Sequence, residues 1–111
     1  MDSWDIRSLD VEPHRPKVLR SDGEVRVIAI NLPEGEELQE HQTHERAYLV
    51  VVDGSIQVDN GGETKDGGPG FVAHFEPNER REVRAAAGDG GARLLLFLGP
   101  WPGEGHPSQR G

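Results

Sequence analysis

Residues 38–58 read LQEHQTHERAYLVVVDGSIQV, and their second half decides the fold class. The run AYLVVV (47–52) is apolar, β-branched and short, which is the composition of a strand. Asp53-Gly54 follows as a tight-turn signal. It predicts a hairpin in which SIQVD (55–59) returns beside the first strand. The first half is polar and carries His41 and His44 directly into the strand, like one half of a metal site.

Outward from this segment the same alternation of short apolar runs and turn signals continues. Upstream, Ser21-Asp22-Gly23 turns the chain into EVRVIAINL (24–32), and PEGEELQEH (33–41) is a polar turn leading back into extended chain. Downstream, NGGETKDGGPG (60–70) holds five glycines and reads as loop around a short strand at Glu63-Thr64-Lys65. FVAHFE (71–76) is a strand stopped by Pro77-Asn78. REVRAAA (81–87) is the next, and GDGG (88–91) turns it into ARLLLFLG (92–99). About seven or eight short strands, with turn signals roughly every 8–12 residues, describe an all-β sandwich or barrel. The flanks differ in character. Residues 1–21 form a polar N-terminal arm with Pro13 and Pro16, expected as an extended strand along the body or across a partner. Residues 100–111, PWPGEGHPSQRG, form an irregular C-terminal tail. The barrel is assigned to residues 22–99.

Composition excludes several functions. The 111 residues suffice for one domain. Fifteen glycines and eight prolines suit many turns better than a helical bundle. A net charge of −8, from 20 acidic and 12 basic residues, repels phosphate backbones, so no nucleic-acid partner is expected. No apolar run is long enough to span a membrane. MDSWDIRSLD lacks the charged and apolar regions of a signal peptide. The absence of cysteine removes disulfides and thiolate metal sites and fits a cytoplasmic protein. Trp4 and Trp101 lie in the two flanks, and each has a large apolar area to bury against the barrel or across an interface. A homodimer is expected because a sandwich leaves strand edges to cover.

Two segments resemble a known family. Gly35…His41-Gln-Thr-His44…Gly54 resembles the first motif of the cupins, and Gly70…Pro77-Asn78-Glu79-Arg80-Arg81 the second. The phrase PWPGEGHPS is also similar to the ending of some small single-domain bacterial cupins. The resemblance covers about residues 22–99, counting strand spacing. It implies a double-stranded β-helix, the jelly-roll barrel. It does not imply one activity, since cupins include oxygenases, isomerases, epimerases, storage proteins and sugar-binding modules.

The resemblance also implies a ligand set: two histidines and a glutamate from the first motif, and a histidine from the second. Counted back from Gly54, these positions hold His41, Thr43, Ala47 and Arg81. One of the four is a ligand, and Arg81 is a fixed cation that opposes a divalent metal. No metal cofactor is therefore predicted. The alternative is a metal-dependent oxygenase or isomerase holding Fe, Mn, Ni or Zn with a non-standard set, His41, His44, His74 and Glu76, if a bulge turns His44 inward and the His74–Glu76 face points into the barrel. Otherwise the expected pocket is lined by His41, Thr43, Ala47, Leu49 and Val51, with His74 and Arg81 opposite. Arg81 there offers a planar fork of donors to a small anion. Against this stands the plain reading that Arg81 pairs with Glu45, Glu79 or Glu82 at the barrel mouth. His14 and His106, in the flanks, read as solvated.

Overall fold

In the computed structural model, residues 1–38, 45–88 and 90–99 are described. His41, Thr43, His44 and the tail with Trp101 and His106 lie outside them. The described residues form eight strands and no helix: β1 (Lys17–Ser21), β2 (Arg26–Leu32), β3 (Ala47–Asp53), β4 (Ile56–Asp59), β5 (Thr64–Gly67), β6 (Val72–Phe75), β7 (Glu82–Ala85) and β8 (Ala92–Leu98). They make two antiparallel sheets, a five-stranded one in the order β1-β2-β8-β3-β6 and a three-stranded one in the order β5-β4-β7. This is the jelly-roll sandwich.

The period-two alternation of each strand sets its inner face. Ile30 and Leu32 of β2, Ala47, Leu49 and Val51 of β3, and Leu94, Leu96 and Leu98 of β8 point inward. They meet Ile56, Val58, Val83 and Ala85 of the smaller sheet in one continuous core. Leu49, Val51, Ile56 and Leu94 are its largest fully buried side chains. Large aliphatic residues therefore fill the middle of the sandwich, and any small-molecule site must lie at an end or an edge.

Two features differ from the sequence expectation. Asp53-Gly54 is not a hairpin turn. β3 pairs with β6 and β8, whereas β4 pairs with β5 and β7 in the opposite sheet. The Asp-Gly pair is a corner that carries the chain from one layer to the other. Gly54 has φ of 76°, and a Cβ there would lie 2.2 Å from the Gly91 carbonyl oxygen. The second difference is at the N-terminus, where the sheet begins at Lys17. Asp22 closes a turn by accepting the amides of Glu24 at 2.8 Å and Val25 at 3.0 Å, and this pairs β1 with β2. Those two backbone bonds, with the Arg20 side chain, hold the Asp22 carboxyl below its ordinary value.

The rest of the arm also belongs to the fold. Ile6 and Val11 are buried with Ala29 on the outer face of the five-stranded sheet, with Leu9, Leu19, Val52 and Leu95 packed around them. Arg93 Nη1 donates to the carbonyls of Ile6 and Leu9, and Asn31 Nδ2 donates to that of Val11 at 2.9 Å. The arm thus covers part of a face that would otherwise be apolar and wet.

Candidate functional site

Antiparallel register lines up one row of inward positions across the end of the five-stranded sheet. Arg26 of β2 sits opposite Leu98 of β8, Leu98 opposite Ala47 of β3, and Ala47 opposite Phe75 of β6. Four strands at about 4.8 Å spacing make this row roughly 14 Å long. Ala47, Phe75 and Leu98 are buried and form an apolar floor. Charged groups stand at both ends of it.

At the β6 end, the Arg81 guanidinium carbon lies 4.9 Å from the centroid of the Phe75 ring, within cation–π range. Arg81 is half-buried, and its Nη1 is shielded from solvent. At the β2 end, Arg26 Nη2 donates to Glu45 Oε1 at 2.8 Å. Glu45 is 8% exposed and is the buried charged residue among the described ones. A carboxylate leaves water only with a close donor, and Arg26 supplies it. Arg26 Nε is also shielded and has no hydrogen-bond acceptor among the described residues.

Sequence reasoning missed the Arg26–Glu45 pair. The signal was present, since Arg26 shares the inward parity of Ile28, Ile30 and Leu32, and Glu45 shares that of Ala47. Two of the carboxylates considered for Arg81 also meet other groups. Glu82 meets Arg80 at 3.2 Å, and Glu79 accepts the Glu76 amide at 2.8 Å and Asn60 Nδ2 at 3.3 Å.

Of the expected pocket residues, the structure brings Ala47 and Arg81 together around Phe75. It places His74 elsewhere. His74 pairs in register with Tyr48, and both point outward, with ring centroids 4.9 Å apart. The parity that buries Ala73 and Phe75 turns His74 and Glu76 away from the barrel interior. Arg46 clasps this outer pair. Its Nη1 donates to His74 Nε2 at 2.8 Å and lies 3.1 Å from Glu76 Oε1. A guanidinium thus stands where His74 and Glu76 would have to share a metal ion, which makes them poor ligands.

A family model described as Cupin domain matches residues 28–98. The chain is a cupin. Its fold matches solved relatives at low sequence identity. An RmlC-like cupin of Desulfovibrio desulfuricans superposes with a TM-score of 0.75 at 16% identity, over 90% of this chain and 97% of that one. An RmlC-like cupin with a double-stranded β-helix fold from Methanocaldococcus jannaschii gives 0.70 at 18%, over 78% and 80%. KdgF of a Halomonas species gives 0.65 at 20%, over 82% and 85%. Curated proteins give no sequence match. At these identities the likeness shows the fold alone.

Cupin membership raises the question of a metal. Of the four ligand positions implied by the motif resemblance, the two described ones do not fit a cation. Ala47 presents a methyl group in a fully buried position, and Arg81 presents a permanent positive charge. Among the described residues, no three His, Asp or Glu side chains converge as a metal-binding group.

Proposed function

We propose that this cupin binds a small organic anion, a carboxylate or phosphate, at the barrel mouth, without a metal centre. The observation that carries this reading is the Arg81 guanidinium held over Phe75 beside Ala47. The ring fixes the cation at the edge of the apolar row formed by Leu98, Ala47 and Phe75. The proposed role is binding.

The test is thermal stability against a panel of mono- and dicarboxylates and sugar phosphates, with elemental analysis of protein purified without chelator or affinity tag. A native-state ligand at one hundred times its Kd stabilises by about 2.7 kcal/mol, which raises Tm by on the order of 10 °C for a domain of this size. Arg81→Met keeps an apolar contact with Phe75 and removes the charge, so it should abolish the shift. Close to one transition metal per chain would overturn the reading, as would an anion response that survives in Arg81→Met.

A further inference from the structure

Phe75 ends β6 in the larger sheet, and Arg81 stands just before β7 in the smaller one. Their contact therefore bridges the two layers across the corner of residues 76–81. A cation–π contact at a partly open site is weak, and it does not by itself offset the entropy of ordering such a corner. Glu79 closes the corner instead. Its amide donates to the Glu76 carbonyl at 3.0 Å, and its Oε1 accepts the Glu76 amide at 2.8 Å. Asn78 lies inside this turn with φ of 66°, a left-handed conformation that asparagine tolerates better than most residues.

The second oxygen of Glu79 reaches out of the turn. Its Oε2 accepts Asn60 Nδ2 at 3.3 Å in a half-buried position. Asn60 follows β4, whose Asp59 pairs with Glu82 of β7, so the bond lies beside the ladder that leads back to Arg81. Asn60 is itself fixed. Its Oδ1 accepts the amides of Gly62 and Glu63, each at 2.9 Å, and its own amide donates to the Glu63 carbonyl at 3.2 Å. Two donors on Oδ1 leave the NH₂ end of the side chain to face Glu79. We propose that Asn60 and Glu79 are positioning residues for Arg81. Their bond ties the β4–β5 loop to the β6–β7 corner and so holds the guanidinium over Phe75. This rests on the reading of Arg81 as the anion-binding group. Neither residue touches the anion, and both act through the corner.

The experiment is proton NMR of the full chain, following the Arg81 side chain. Protons over a ring face are shifted upfield by the ring current, so this shift reports Arg81 on Phe75 and needs no ligand. Phe75→Leu should abolish it. Glu79→Gln keeps an oxygen for the Glu76 amide but turns a donor toward the Asn60 donor. Asn60→Asp keeps an oxygen for Gly62 and Glu63 but turns another toward the Glu79 carboxylate. Each should lose most of the upfield shift. The double variant reverses the polarity of the bond at unchanged net charge, and it should regain the wild-type shift. A merely structural role would lower Tm in the single variants and leave the shift in place. The same proteins are titrated with inorganic phosphate, which should bind about tenfold more weakly in each single variant and recover in the double. A wild type indifferent to phosphate would count against the anion reading, whereas the shift pattern alone judges the tie. The inference is overturned if either single variant, folded by circular dichroism, keeps the wild-type shift, or if the double variant fails to regain it.

Discussion

Two glycines with nearly the same backbone angle should respond very differently to alanine. Gly35 has φ of 75° and Gly54 has φ of 76°. The left-handed conformation costs a Cβ-bearing residue about 1–2 kcal/mol, and both variants incur that cost equally. Space separates them. A Cβ at Gly35 meets nothing within 4 Å, whereas one at Gly54 lies 2.2 Å from the Gly91 oxygen and 2.8 Å from the Ala92 Cα. Both neighbours are backbone and cannot rotate away. Gly91 is itself confined, since a Cβ there would stand 2.7 Å from the Leu32 oxygen. Opening this corner adds an overpacking cost of about 1–3 kcal/mol or more. Gly35→Ala should therefore lose about 1–2 kcal/mol and Gly54→Ala about 2–5, a gap near 2 kcal/mol and roughly 8–16 °C in Tm. Urea denaturation followed by far-ultraviolet circular dichroism measures both. If the two variants agree within about 0.5 kcal/mol, the close packing of the β3–β4 corner against the β7–β8 corner is refuted.

Two more outcomes follow from the charged groups. Glu45→Ala should destabilise by about 1–2 kcal/mol, less than a fully buried pair would lose, because water screens the Arg26 side. In an Arg26→Met background the same change should cost less than half as much, and a cycle of urea midpoints with no coupling would sink the pairing. Arg93→Met removes the donor that holds the Ile6 and Leu9 carbonyls. Amide exchange in residues 6–11 should rise about tenfold or more while β3 and β8 keep their protection. Unchanged exchange in the arm would show that apolar contact alone docks it.

The strands were legible because short apolar, β-branched or leucine-rich runs end at turn signals. AYLVVVD and ARLLLFL could hardly be read otherwise. Partnership was not legible. The signal of Asp53-Gly54 is a residue tolerant of positive φ, and a hairpin and a layer-to-layer corner both need one. β1 hid because KVLRS, on a sheet edge, lacks an apolar face. On β6 both parities contain apolar residues, Val72 on one side and Ala73 and Phe75 on the other. Periodicity therefore could not show that His74 and Glu76 point outward. At the mouth, Ala47 and Arg81 were found by motif position, whereas Arg26 was passed over although a charged residue in the inward register of β2 marks the end of a core.

The strand order carries a consequence for biosynthesis. β8 is the last of the eight described strands and lies at the centre of the five-stranded sheet, between β2 and β3. As the chain emerges from the ribosome, β2 and β3 have no partner between them, and the mouth row from Arg26 to Phe75 is interrupted at Leu98. The larger sheet closes only once its final strand is available, through pairings distant in sequence, and such topologies fold slowly. Until then, apolar strand edges stay open to other nascent chains. A stop codon or frameshift before Ala92 would remove the middle of the sheet and leave no foldable remainder.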